Sequence, residues 1–249
     1  MKRILEICCG SAEDAIEASR AGADRVELCS NLFHGGLTPT IGSLHIVKAH
    51  SDITTMTMVR PREGGFCYTE LEYQVALKDA QALAAAGSDG LVFGFLKENG
   101  RIDVSRTEKM VEIAHSHGIE SVFHRAFDVV PDWREAIDLL AGLKITRILT
   151  SGQEYDVSLA TETVREMIEY ADGRIQIMPG AGITRRNMDR VIRETGCEQI
   201  HLAAHKLMFD HSTSNNRSIY YGGCLYPPEN EYKLSDREEI ARIVGKLND

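Results

Sequence analysis

One four-residue pattern occurs twice near the start of the chain. Leu5-Glu6-Ile7-Cys8 returns 21 residues later as Val26-Glu27-Leu28-Cys29. Each copy alternates apolar and polar side chains, the period of a β-strand. Leu5, Ile7, Val26 and Leu28 point one way, and Glu6, Cys8, Glu27 and Cys29 the other. An ordinary parallel sheet is apolar on both faces because helices cover both. A face of carboxylates and thiols has to look into a space that tolerates polarity, such as the mouth of a closed barrel.

The remainder of the chain supplies such a barrel. Strand signals fall at about 2–8, 25–29, 53–59, 91–96, 121–126, 147–150, 174–178 and 199–203, and a helix signal follows each. The helix starts are marked by Ser11 with Asp14, Thr38-Pro39, Thr69 with Glu72, Asp103, Asp132, Thr184, and Ser235 with Glu238. Eight strands alternating with eight helices in 249 residues, with no linker or low-complexity break, predict an α/β fold. Its expected form is a single-domain (β/α)8 TIM barrel over residues 1–249. A doubly wound open sheet is the second choice, although no GxGxxG follows the first strand. Residues 205–234 read as one long irregular segment after the eighth strand, over the C-terminal mouth or against a neighbouring subunit.

Net charge is −9 with no cluster of Lys and Arg, which argues against a nucleic-acid partner. No apolar run is long enough for a membrane span or a signal peptide, so a cytoplasmic location is expected. The six cysteines show no CxxC or zinc-finger spacing. In a reducing compartment they are expected to be thiols.

In such barrels chemistry sits at the C-terminal strand ends. Those ends carry Glu6 and Cys8, Glu27 and Cys29, Arg60 and Arg62, His124 and Asp128, Gln153, and His201. Parity turns Met58, Arg60, His124 and His201 inward. Arg60 is the expected counter-ion of Glu27. A structural ion-pair network plugging the barrel is one reading of this charge.

Two chemistries compete with it. In the first, Cys8 and Cys29 end adjacent strands and bind a soft metal. A metal–sulfur bond of ~2.3 Å needs the sulfurs ~4–4.6 Å apart. Barrel stagger would have to bring the two positions level. Met56 and Met58 would add thioethers, and the set selects copper(I). In the second, an enzyme acts on a small carboxylate or phosphate. Arg60 and Arg62 clamp the anion, Gln153, Glu6 and His201 help bind it, and Glu27, His124 and Asp128 are the acid/base groups. The Pro179-Gly180-Ala181-Gly182 turn would offer backbone N–H groups. No Lys lies on the C-terminal half of a strand, which argues against a Schiff-base aldolase.

Several strings resemble the CutC copper-homeostasis family. They are Glu6-Ile7-Cys8, the run from Gly22 to Leu32, Gly35-Gly36-Leu37-Thr38-Pro39, and Val59-Arg60-Pro61-Arg62. Phe123-His124-Arg125-Ala126-Phe127-Asp128, Leu149-Thr150-Ser151-Gly152-Gln153 and Ile177-Met178-Pro179-Gly180 complete the set. The resemblance spans about residues 3–205 and implies a β/α barrel, a cytosolic protein handling copper, and a homo-oligomer, since some members are oligomeric. It places Cys8 and Cys29 where cysteines have been proposed as copper(I) ligands. It implies no catalysed reaction. The chain departs from the family at Gly64-Gly65-Phe66, where Gly-Asp-Phe is usual, and at Ala181 and Ala203, where Gly and Ser are common.

Overall fold

A computed structural model of the chain describes residues 3–216, 218–222 and 227–248. Cys224 lies outside the described residues. In chain order the barrel elements are β1 (Ile4–Cys9), α1 (Ala12–Arg20), β2 (Arg25–Leu28), α2 (Ile41–His50), β3 (Thr54–Met58) and α3 (Glu70–Ala85). They continue as β4 (Gly90–Phe93), α4 (Val104–Ser116), β5 (Glu120–Phe123), α5 (Trp133–Gly142), β6 (Arg147–Thr150) and α6 (Thr161–Ala171). β7 (Gln176–Pro179), α7 (Met188–Thr195) and β8 (Gln199–Leu202) complete the barrel strands. β9 (His205–Phe209), β10 (Glu231–Ser235) and α8 (Arg237–Asn248) follow.

β1 to β8 form one parallel sheet in the order β7-β6-β5-β4-β3-β2-β1-β8, with β7 and β8 at the two ends facing one another. The sheet is therefore a nearly closed (β/α)8 barrel, as the alternation predicts. Leu5, Ile7, Val26, Leu28, Phe93, Phe123, Ile148 and Ile200 face outward into the main core. There they meet Leu44, Val47, Leu83, Met110, Leu140, Val164 and Ile240 from the helices. Burying each such side chain contributes about 1.5–3 kcal/mol before entropy is counted. That outer core fixes strand register, because a slip of one residue would turn the carboxylates into it. The inward apolar set is separate and small: Cys29, Met56, Met58, Val92 and Val122.

Helix starts follow side-chain capping. Ser11, Thr69, Asp103 and Asp132 each accept backbone N–H groups in the first turn, and Thr69 with Glu72 forms the reciprocal box. Three sequence expectations shift. The cap of α2 is Thr40, because Thr38 Oγ1 accepts from Arg60 N instead. Asp236, the residue after β10, caps α8, while Ser235 ends the strand. α7 starts at Met188, after a turn in which Asn187 accepts from Thr184 N.

The segment read as irregular begins and ends in structure. β9 and β10 pair antiparallel, Leu207 opposite Lys233 and His205 opposite Ser235. Ser235 N also donates to Asp14 of α1, which anchors the ribbon to the barrel. No helix among the described residues is long and apolar enough to cross a membrane.

Candidate metal site at the barrel mouth

Cys8 on β1 lies opposite Glu27 on β2, in the next position along the same face as Glu6. Cys29 follows two residues after Glu27, so the two cysteines are diagonal and not level as the sequence reading required. Glu27 closes the gap. Its Oε2 lies 3.6 Å from Cys8 Sγ and 3.6 Å from Cys29 Sγ. One ligand atom from each of the three residues falls within 4.8 Å of the others. Cys29 and Glu27 are buried, and Cys8 is half-buried at the mouth.

His201 on β8 reaches the same group from the other side. Its Nδ1 is 2.7 Å from Glu6 Oε1, and its Nε2 is 3.9 Å from Glu27 Oε2. Glu6 is paired in turn with Arg25. A connected line therefore runs from Arg25 through Glu6 and His201 to Glu27 and the two sulfurs.

Burial raises the Glu6 carboxyl, but the His201 hydrogen bond and the Arg25 charge outweigh it and bring it down to about 2. Glu27 shares that burial without a guanidinium partner. Desolvation, with the negative groups at Cys8 and Glu6, raises it to about 8 against the pull of His201. The thiols split. A hydrogen bond from Cys29 draws Cys8 well below the ordinary thiol range, against burial and helped by His201. The same bond, then burial, holds Cys29 well above it. Burial opposes the charged imidazole of His201, yet the contacts with Cys8, Glu27 and Glu6 raise its pKa well above the usual value.

Arg60 is buried but does not pair with Glu27. Its Nη1 donates to the carbonyls of His34 and Gly36 at 2.9 Å, and its Nη2 to that of Gly64 at 2.9 Å. The 31–36 turn takes left-handed backbone at Asn31, Gly35 and Gly36, which brings those carbonyls round to the guanidinium. Gly36 is needed there on a second count, since a Cβ would come 3.1 Å from Cys29 Sγ. Arg62 binds Glu72 and the carbonyls of Glu63, Gly65 and Cys67. Both arginines hold loops through these bonds.

The other expected site residues are likewise committed elsewhere. His124 Nδ1 accepts from Ala126 N at 3.0 Å, and burial with the nearby Arg60 charge lowers the ring to about 3. Burial and the Arg60 charge thus favour its neutral imidazole form. Its Nε2 is buried without a partner. Asp128 ties β6 in place by accepting from Ser151 N and Arg125 Nε. Gln153 donates to the Val130 carbonyl. In the Pro179–Gly182 turn Ala181 takes φ +72°, the left-handed region that favours glycine. The Asp156 carboxylate sits where a Cβ of Gly182 would be, which sets a negative charge against an anion there.

The sequence reading missed a second polar layer nearer the N-terminal strand ends. Arg147 binds Glu120 at 2.7 Å and Gln176 at 3.1 Å, Gln199 donates to Gln176, and Arg25 donates to Gln199. The parity that turned Glu27 inward applies equally to Arg25, and that signal was available.

Comparison with known proteins agrees with this architecture. The CutC family profile matches residues 3–206. A CutC family protein of Treponema denticola is 49% identical over 248 residues, 99% of this chain and 100% of that one. The human copper homeostasis protein cutC homolog is 38% identical over 240 residues, 96% of this chain and 87% of its own. Among solved structures, a protein assigned as the copper homeostasis protein CutC of Streptococcus agalactiae superposes with a TM-score of 0.76 at 35% identity, over 80% of this chain and 98% of that one. With matches of this extent over the barrel and its mouth, the chain belongs to the CutC family.

Proposed function

We propose that this protein binds copper(I) at the barrel mouth through Cys8 and Cys29 and serves copper homeostasis in the cytoplasm. The observation that carries the reading is the meeting of two thiols and one carboxylate oxygen within 4.8 Å at the C-terminal strand ends. Two sulfurs on diagonal positions of neighbouring strands are a soft donor pair, which favours copper(I) over hard divalent ions. Met56 and Met58 pack with Cys29 inside the barrel and extend the soft surroundings. Both cysteines are free, the state a reducing compartment maintains. Self-association would use the β9–β10 ribbon, where Leu207, Phe209 and Tyr232 are exposed.

Anaerobic titration with copper(I) against a colorimetric chelator tests the reading. Wild type is expected to withdraw one equivalent per chain, and Cys8→Ser or Cys29→Ser to lose it. Equal stoichiometry in all three proteins would contradict the proposal. No observation favours the anion-binding enzyme reading over this one, since Arg60 and Arg62 are hydrogen-bonded to loop carbonyls and Glu72.

A further inference from the structure

Glu27 Oε2 lies close to three soft or borderline donors. Cys8 Sγ and Cys29 Sγ each lie 3.6 Å from it, and His201 Nε2 lies 3.9 Å from it. The three donors come from three adjacent strands, β1, the end of β2, and β8. The oxygen beside them is the hardest donor of the four, while imidazole and thiolate both suit copper.

The two carboxylates of the cluster are held differently. Glu6 is fixed from two sides, by Arg25 and by His201 Nδ1 at 2.7 Å. That contact directs Nδ1 to Glu6 and leaves Nε2 turned toward Glu27, 3.9 Å from its Oε2. A carboxylate behind an imidazole is the usual support of a metal-binding histidine. Glu27 has no such anchor: its Oε1 is buried without a hydrogen-bond partner, and its Oε2 touches only the would-be ligands. Among the described residues, no guanidinium holds this carboxyl as Arg25 holds that of Glu6.

We infer that His201 is the third copper(I) ligand, oriented by Glu6, and that Glu27 is a displaceable cover over the three donors. The inference rests on the copper reading above and adds to it a ligand and a cover. It gives a reason for two acidic residues beside the thiols: one positions a ligand, and the other covers the donors before the ion arrives.

X-ray absorption at the copper edge, on full-length protein loaded anaerobically with one equivalent of copper(I), tests this directly. Wild type is expected to show sulfur scattering together with the outer-shell pattern of one imidazole. His201→Ala and the size-preserving His201→Gln should lose the imidazole pattern and weaken copper(I) binding by about 10–100-fold in chelator competition. Glu27→Ala should keep sulfur and imidazole and bind several-fold more tightly. Thiol-dependent binding with no imidazole pattern in wild type overturns this inference and leaves the earlier proposal standing. A Glu27→Ala protein that binds more weakly overturns the cover. Binding that survives loss of both cysteines overturns the earlier proposal itself. The wild-type spectrum decides the ligand question even where a histidine variant fails to fold.

Discussion

The barrel interior has two polar layers built on the same parity, and they are satisfied very differently. In the lower layer Glu6, Arg25, Gln199, Gln176, Arg147 and Glu120 form one chain of charged and amide hydrogen bonds across six strands. Among the described residues, Arg147 Nη1 is the one buried polar atom of that chain of bonds without a partner. In the upper layer Glu27 Oε1, His124 Nε2 and Arg60 Nε are all buried without one. A network that is nearly complete closes the bottom of the barrel. The upper layer leaves buried polar atoms unpaired, which is costly unless something binds them, and it is there that the copper proposal puts the ion. The sequence offered a structural ion-pair network and a binding site as rivals; the lower layer has the bonding of the first, the copper site proposed above would lie in the upper layer, and Glu6 touches both.

The largest stability effect is expected in the lower layer. Arg25→Met leaves Glu6 buried without its guanidinium and should cost about 3–5 kcal/mol in urea unfolding. An equal loss from Cys8→Ser would erase the distinction between the layers.

A smaller effect separates the two glutamates by pH. Glu27 is raised from 4.5 to about 8, so between those values the folded protein keeps a proton that the unfolded chain has released. Stability from this group is complete below pH 4.5 and is lost as pH rises through about 8. Glu6, lowered to about 2, acts oppositely: its contribution is complete above pH 4.5 and is lost as pH falls through about 2. Glu27→Gln should therefore flatten the decline in stability between pH 5 and pH 8, by about 1–3 kcal/mol at the upper end. A decline as steep as that of wild type would contradict the assignment.

Gly36→Ala should cost about 1–2 kcal/mol, since it adds a Cβ at φ +84° and 3.1 Å from Cys29 Sγ. It should also weaken copper(I) binding by moving that sulfur, which parallel unfolding and chelator titrations would separate. The smallest effect is expected at Arg62→Ala, under about 1 kcal/mol for a partly exposed ion pair and with copper(I) affinity unaltered. A large affinity loss there would restore Arg62 to the site.

The barrel was legible because strand parity and helix caps are local signals. Leu5 and Ile7 against Glu6 and Cys8 already separate the outer core from the lumen. The gathering of Glu6, Cys8, Glu27, Cys29 and His201 followed from that parity. Partner choice was not legible. Arg60 turned to backbone carbonyls because Asn31, Gly35 and Gly36 take left-handed conformations, and loop geometry of that kind leaves only a faint trace in residue type. Arg25 was overlooked because it opens its strand, although it shares the face of Glu27. The β9–β10 pair was hidden because its strands face solvent and carry lysines among the apolar residues, which blurs the alternation.

The most direct measurement is an anomalous difference map at the copper edge from a crystal grown anaerobically with one equivalent of copper(I). The account predicts a single strong peak at the mouth between Cys8 Sγ and Cys29 Sγ, with the Glu27 carboxyl turned aside. A peak elsewhere on the chain, or none with both thiols intact, would contradict it.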